Sequence, residues 1–335
     1  MWDTGNATLE CEPCDEGKGM FGELAVGYLF LGGAGAGSIA IASALDLACV
    51  RTPFGERARV CVDEAAPAER AVSFGMLVGL ACLLLGIVCL LLDLGRVDRA
   101  LSLFFSPSLT YLTLGSYALV LLAALGALLV AVRFAFFPGI SRRVVSVAEA
   151  FAVLAGFAVM LYAGLLLQGV GGVAFWRSPF LPVLFVFSAL SCGFAIVLLA
   201  AVLAGLEKPP VRLVRMLVRA DAAVIVLEVL TAALLMGTAQ ADAHPAVVQS
   251  FARLVEGDLA ARWWVGFVAC GMVVPFALEA MFSVSRQPSL AWSAVAVAAV
   301  LVLVGGFCMR GAVVEAGSHR DLVLEKPDAQ ALRLE

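Results

Sequence analysis

The chain has 335 residues, of which 62% are hydrophobic and only 14% are charged. Soluble domains are about 45–50% apolar and about 25% charged, so this composition excludes a soluble protein and indicates an integral membrane protein. The net charge of −4 is not accompanied by a basic stripe, which excludes a nucleic-acid-binding surface. The apolar runs are continuous and do not alternate with polar residues, which favours spanning helices over a β-barrel.

Eight apolar runs are long enough to cross a membrane as helices, which takes about 20 residues each. They cover residues 22–49, 71–95, 110–137, 146–168, 180–205, 216–240, 262–285 and 291–316. Residues 1–21 form an acidic head and residues 317–335 form a tail, and no loop is long enough for a soluble catalytic domain. The predicted fold class is therefore an all-α integral membrane protein with eight transmembrane helices.

The distribution of Lys and Arg predicts the orientation in the membrane. An even number of helices places both termini on one side, and more of the 22 Lys and Arg residues fall in the loops of the other side. Because basic loops stay in the cytoplasm, we expect both termini outside. The first apolar run is too long for a removable signal peptide. In the exported head, Cys11 and Cys14 could form half of a metal site, a local disulfide, or a pair without a catalytic role.

The first and fifth predicted helices share a short pattern of residues. Leu29–Ile41 and Leu184–Ile196 both begin with Leu-Phe, continue with small residues and end with Ala-Ile. Helices that are four apart in the chain point in the same direction. The match therefore predicts two four-helix halves, residues 22–168 and residues 169–316, related by an axis along the membrane normal.

A glycine-rich segment, GYLFLGGAGAGS at Gly27–Ser38, lies inside the first predicted helix. It lacks the G-x-G-x-x-G spacing of a dinucleotide-binding loop, and no strand precedes it. The pairs Gly33-x-x-x-Gly37 and Gly32-x-x-x-Ala36 instead predict close contact with a neighbouring helix, because small residues let two backbones approach each other.

Polar side chains inside spanning helices are costly and usually functional. On the predicted topology one group lies near the outer face and comprises Glu23, Asp93, Arg96, Tyr111, Tyr162, Gln168 and Arg310. A second group lies near the inner face and comprises Asp46, Arg133, Glu149, Asp221 and Glu279. With the exception of Glu149, we expect the inner group to reach headgroups or water, because its members lie near helix ends. Glu228 lies near the midplane and needs a partner or a proton to remain there.

Both histidines of the chain, His244 and His319, lie outside the predicted helices. A membrane b-type haem with two His ligands needs imidazoles in the core of the bundle. We therefore expect no haem in this chain, and any electron transfer would use an organic carrier dissolved in the membrane, such as a quinone.

Six segments in chain order resemble the NrfD/PsrC family, the membrane subunits of polysulfide-reductase-like complexes. The most specific is LYAGLLLQGVGGVAFWRSPFLPVLFVFSALSCG at residues 161–193. The others are ELAVGYLFLGGAGAGS, LLLDLGRVDRALSLFFSPSLTYLTLGSYAL, DAAVIVLEVL, RWWVGFVACGMVVPFALE and LVLVGGFCMRGAVVEAG. Three positions depart from the family pattern. Ala163 stands where members often have Thr, Val97 where Pro is common, and Glu23 near the start of the first helix, where some members carry His or Asn.

The resemblance implies two four-helix bundles in the cytoplasmic membrane of a prokaryote, with menaquinone or ubiquinone bound near the outer face by the first bundle. It implies a four-cluster iron–sulfur subunit and a molybdopterin catalytic subunit as partners, so the terminal substrate chemistry takes place on another chain. This chain would then hold neither haem nor metal. A transporter with parallel repeats and a passive membrane anchor stay open as rival functions.

The outer group of polar residues then forms the hypothetical quinone site. Tyr162 bonds a ring oxygen, and Glu23 or Asp93 takes a proton. Arg96 or Arg310 holds one of these carboxylates, and we expect pairing among the four charged residues because an unpaired buried charge is costly. The further predicted quinone contacts are Gly27, Tyr111 and Gln168. The predicted proton route towards the quinone comprises Asp46, Glu149, Asp221 and Glu228.

Overall fold

The structure is a computed structural model that describes residues 22–50, 65–93, 111–134, 136, 139–169, 172–204, 210–284 and 288–317. Within these ranges eight helices are long and apolar enough to span a membrane, which confirms the predicted all-helical, multi-pass membrane protein. We number them helix 1 to helix 8 in chain order. They are Glu23–Leu45, Ala65–Asp93, Tyr111–Arg133, Arg142–Gly169, Phe180–Ala204, Val211–Gln240, Ala261–Val273 continued by Val274–Val284, and Pro288–Gly317. The expectations for Cys11, Cys14, Arg96 and His319 fall outside the described residues.

Helices 2, 4 and 6 begin earlier than the apolar runs predict. They start at Ala65, Arg142 and Val211, whereas the runs begin at 71, 146 and 216. The added turns carry charged residues such as Glu69 and Arg212, which are good helix formers but lower the local hydropathy. Hydropathy therefore identifies the apolar part of each helix and not the residue at which the helix begins.

Two helices depart from regular α-helical geometry. Asp46–Val50 at the end of helix 1 and Ala261–Val273 in helix 7 wind as π-helix. Helix 7 returns to α-helix beside Pro275, whose nitrogen has no hydrogen to donate to the preceding turn. Two short elements lie between the long helices, the 3₁₀ turn Ala174–Arg177 and the helix Pro245–Val255.

The side of the molecule on which helix 1 begins is called the N-terminal face below, and the other side is called the opposite face. At the N-terminal face the start of helix 1 meets the end of helix 2, where Gly22 lies beside Asp93. An ion pair between Arg262 and Glu315 joins the start of helix 7 to the end of helix 8 at the same face. Neighbouring helices in the chain thus run in opposite directions. Whether the N-terminal face is the outer one stays a prediction.

The glycines of helix 1 allow the close helix contact that the sequence predicts, and the neighbours are helices 2 and 5. A Cβ atom added to Gly35 would lie 2.6 Å from the backbone oxygen of Gly79 on helix 2. A Cβ atom added to Gly37 would overlap the backbone oxygen of Ala189 on helix 5, and Gly193 on helix 5 faces Gly37 in the same way. Only a residue without a side chain permits these backbone contacts.

Each half of the chain repeats the same set of helix contacts. Helix 1 packs against helices 2 and 4, helix 3 packs against helices 2 and 4, and helices 5 to 8 are arranged correspondingly. Helices 1 and 5 run in the same direction and meet at Gly37 and Gly193, as expected for a parallel repeat. Helix 5 also packs against helices 2 and 4, so the halves share an extensive interface. Their separation into two distinct four-helix bundles stays a prediction.

Candidate functional site

Two buried tyrosines lie beside each other near the N-terminal face. Tyr28 on helix 1 and Tyr162 on helix 4 are 3% and 6% exposed, and their side chains interact with each other. The ring of Tyr162 lies directly on the backbone of Gly115 on helix 3, where an added Cβ atom would overlap it. Helices 1, 3 and 4 therefore position the pair together. Tyr28 is just over one turn into its helix, which is about 8 Å from the helix start.

The other residues predicted for the quinone site are spread around this face. Glu23 and Asp93 are exposed at the ends of helices 1 and 2. Gly27 is half-buried, and a Cβ atom added there would make only an ordinary contact of 3.9 Å with Cys89. Gln168 donates its amide hydrogen to the backbone oxygen of Ser178 at 2.8 Å, which ties helix 4 to the following segment. Tyr111 begins helix 3, and its side chain is outside the described part of the chain.

Arg310 does not pair with Glu23 or Asp93 in the part of the chain that the structure describes, so the expected pairing is corrected here. Its side chain is fully buried two turns before the end of helix 8. It donates hydrogen bonds to the backbone oxygens of Leu29 at 3.1 Å and Gly306 at 2.8 Å. The long side chain is directed between helices 1 and 5 and not towards the surface, because these carbonyls accept its N–H groups inside the protein.

The surroundings of Arg310 explain one of the helix 1 glycines. A Cβ atom added to Gly33 would lie 3.0 Å from the Nη2 atom of Arg310. The guanidinium lies 5.7 Å from the ring centre of Phe30 and 5.5 Å from that of Phe185, which is cation–π distance. Nη2 itself has no hydrogen-bond partner. Gly33 therefore makes room for a buried cation, a role beyond the packing contact that its spacing predicts.

Three buried carboxyl groups follow Arg310 towards the opposite face. Ser188 on helix 5 accepts a hydrogen bond from Arg310 at 3.3 Å and also bonds to Glu228 on helix 6. Ser191, one turn further along helix 5, donates to Oδ1 of Asp221 at 2.8 Å. Glu279 on helix 7 is adjacent to Asp221. This set, called the helix 5–8 network below, comprises Ser188, Ser191, Asp221, Glu228, Glu279 and Arg310.

A separate ion-pair cluster lies at the opposite face in the first half of the chain. Nη2 of Arg133 lies 2.6 Å from Oδ2 of Asp46, and Nη1 of Arg142 lies 3.1 Å from the same oxygen. Nη2 of Arg142 lies 3.2 Å from Oε2 of Glu149. Two carboxylates and two guanidinium groups balance each other. The four residues of the predicted proton route therefore fall into two different clusters, Asp46 and Glu149 in this one and Asp221 and Glu228 in the helix 5–8 network.

The expectation that the inner-face residues reach headgroups or water is wrong. Asp46, Asp221 and Glu279 are at most 1% exposed, and the side chain of Arg133 is 4% exposed. Asp46 and Arg133 form an ion pair across helices 1 and 3, and Asp221 and Glu279 lie together between helices 6 and 7. Distance from a helix end is a poor guide here because these side chains lie on faces that pack against other helices.

An apolar groove of about 420 Å³ lies between the two halves of the protein. Helices 1, 2, 5 and 8 line it, with Phe30, Ala34, Phe74, Val78, Leu199 and Leu303 among the lining residues. These side chains offer no hydrogen bond to a polar ring. Among the described residues no group of three or more His, Cys, Asp or Glu side chains could hold a metal ion.

Comparison with known protein families identifies the chain. Residues 13–320 match the family described as Polysulphide reductase, NrfD. The chain belongs to the NrfD family. Members of the NrfD family are quinone-interacting membrane subunits of molybdoenzyme-type complexes and typically assemble with iron–sulfur and molybdoenzyme subunits. A comparison with curated proteins found no match.

Two buried residues of these clusters, Tyr28 and Glu279, are not among the site residues that the sequence predicts. Tyr28 directly follows Gly27, which the sequence predicts as a quinone contact, and a tyrosine inside an apolar helix carries a hydroxyl that needs a hydrogen-bond partner. The need for such a partner is the feature of the sequence that points to Tyr28. The partner itself lies on helix 4, and residue spacing within helix 1 does not reveal it.

Proposed function

We propose that this NrfD-family subunit binds menaquinone or ubiquinone close to its N-terminal face, which we take to be the outer face of a prokaryotic cytoplasmic membrane. It exchanges electrons with a four-cluster iron–sulfur subunit that is linked to a molybdopterin catalytic subunit. Family membership supports the assembly. The buried pair of Tyr28 and Tyr162 is the observation that supports the position of the quinone.

The tyrosine pair has the hydrogen-bonding capacity that a quinone ring needs. Two phenol groups carry two O–H hydrogens, and on this proposal one of them joins Tyr28 to Tyr162, whose side chains interact. The second O–H can donate to a carbonyl oxygen, and the phenol oxygens can accept from a quinol hydroxyl. When bound, a quinone supplies the exchange of two electrons and two protons. Gly115 fixes the ring of Tyr162, so the hydroxyl has a defined position.

Protons reach or leave this site through the residues at the mouth of helices 1 and 2. Glu23 and Asp93 are exposed to their surroundings at the N-terminal face. An exposed carboxylate exchanges protons readily, so either group can pass a proton from the tyrosine hydroxyls to water. Arg96, which follows Asp93 closely in the chain, is retained as a proposed partner for these carboxylates.

The substitution Tyr162→Phe tests the proposal in the assembled complex. It removes one hydroxyl and leaves the ring, so we expect intact assembly and a loss of quinol-linked electron transfer of about tenfold, the value of one hydrogen bond. Tyr117→Phe is the matched control, because Tyr117 is an exposed tyrosine on helix 3. Unchanged turnover in Tyr162→Phe would remove the pair from the site. Loss of turnover together with loss of the partner subunits would instead assign Tyr162 to assembly.

A further inference from the structure

The charges of the helix 5–8 network do not balance. Asp221, Glu228 and Glu279 are 0%, 3% and 1% exposed, and Arg310 is the cation within the network. Arg310 interacts with Glu228. The groups that interact with Asp221 in the described residues are Ser191, Cys192, Glu228 and Glu279, and none of them is a cation. Two carboxylates would therefore be buried without a counter-charge if every group were ionised, which is strongly unfavourable.

Asp221 and Glu279 also lack the donors that two carboxylates need. Ser191 donates to Oδ1 of Asp221, but Oδ2 of Asp221 has no hydrogen-bond partner, and neither oxygen of Glu279 has one. Two adjacent carboxyl groups without other donors share a proton, because two carboxylates at short range cannot both stay ionised. The first-half cluster differs because Asp46 and Glu149 face the guanidinium groups of Arg133 and Arg142, which supply two counter-charges.

We propose that Asp221 and Glu279 form a proton-binding site that holds a single proton between the two carboxyl groups. The site lies towards the opposite face, in the first half of helix 6 and near the end of helix 7. The bound proton neutralises one of the two uncompensated charges and supplies a donor between Asp221 and Glu279. Glu279 thereby becomes a functional residue, and Asp46 and Glu149 become a structural ion-pair cluster.

The helix 5–8 network leads from this proton-binding site towards the tyrosine pair. Asp221 and Glu228 are two turns apart on helix 6, about 10 Å, and Ser188 and Ser191 bridge the interval from helix 5. Beyond Glu228, Arg310 bonds to the carbonyl of Leu29, the residue next to Tyr28. On the proposed quinone function, which this step requires, the Asp221–Glu279 site exchanges protons between the opposite face and the quinone site, as a second route beside Glu23 and Asp93.

Infrared difference spectroscopy on the purified, quinone-free complex tests the proton-binding site independently of quinone function. We expect a carboxylic acid C=O band at neutral pH that shifts in D₂O. Glu279→Gln should remove this band, because an amide at position 279 donates to Asp221 and leaves that group ionised. Glu69→Gln on helix 2 is the matched control and should leave the band unchanged. A wild-type protein without the band would overturn the proposal whether or not the variants fold.

Addition of Na⁺ tests whether the pair binds a proton or a metal cation, and proton uptake tests its link to the quinone site. If Na⁺ abolishes the band at fixed pH, the pair is a cation site and the proposal is wrong. In proteoliposomes of the whole complex assayed in the direction of quinone reduction, which consumes protons, Glu279→Gln should lower proton uptake from the opposite face by at least about tenfold during turnover. If the band disappears in Glu279→Gln while proton uptake is unchanged, the proton-binding site is supported and its link to the quinone is refuted. If only the quinone proposal is wrong, the infrared band and its loss in Glu279→Gln should still be observed.

Discussion

Substitution of Gly35 by alanine tests the account of how helices 1 and 2 pack. The added Cβ atom would lie 2.6 Å from both the backbone oxygen of Gly79 and the backbone nitrogen of Leu83. Neither atom can move alone because both belong to helix 2, so the helices must separate until the contact reaches at least 3.4 Å. Overpacking of this kind costs about 1–3 kcal/mol, and the displaced contacts extend along the interface between the two helices.

Thermal unfolding of the purified protein in detergent measures this cost. Gly237→Ala is the matched control, because Gly237 also lies in a spanning helix and an added Cβ atom there meets nothing within 4 Å. We expect Gly35→Ala to unfold at a lower temperature than the wild type, and Gly237→Ala to be at least as stable, since alanine favours a helix by about 1 kcal/mol over glycine. Equal stability of the two variants would refute the packing argument.

Three further predictions concern the tyrosine pair and Arg310. Tyr28→Phe removes the hydroxyl that interacts with Tyr162 and should raise the quinol KM by up to about tenfold with assembly unchanged, and an unaltered KM would exclude a positioning role. Gly115→Ala should reduce quinol-linked turnover more than Tyr28→Phe does, because the new methyl group overlaps the ring of Tyr162. Arg310→Met should lower the free energy of unfolding by about 1–3 kcal/mol, measured by thermal unfolding, because it removes the hydrogen bonds to Leu29 and Gly306 and the buried cation that interacts with Glu228. The double variant Arg310→Met/Glu228→Gln should recover part of that loss. Strictly additive effects of the two substitutions would contradict an interaction between Arg310 and Glu228.

The sequence predicts the helices well because a membrane span requires a long apolar run, and all eight runs correspond to helices. It also predicts the close contact of helix 1, since Gly33-x-x-x-Gly37 places small residues on one side of the helix. It does not indicate that helices 2 and 5 are the neighbours that fill those positions. That information depends on how the helices are arranged around one another.

The partners of the charged residues could not be predicted for the same reason. Position along a helix gives depth but not direction, so the sequence predicts that Arg310 holds a surface carboxylate, whereas Arg310 bonds to Leu29 and Ser188. Depth alone also groups Asp46 with Asp221, although Asp46 has cations on neighbouring helices and Asp221 has a second carboxyl group. Charge balance becomes visible only when the helices that surround each residue are known.

The position of the quinone is the central claim, and photolabelling tests it most directly. The purified complex is incubated with a photoreactive quinone analogue, and the labelled peptides are mapped, with excess native quinone as the competitor. The account predicts competitive labelling of the segments that contain Tyr28 and Tyr162. Labelling confined to the apolar groove, at residues such as Phe74 and Leu199, would contradict the proposed position. No competitive labelling in an intact complex would contradict quinone binding and favour a passive membrane anchor.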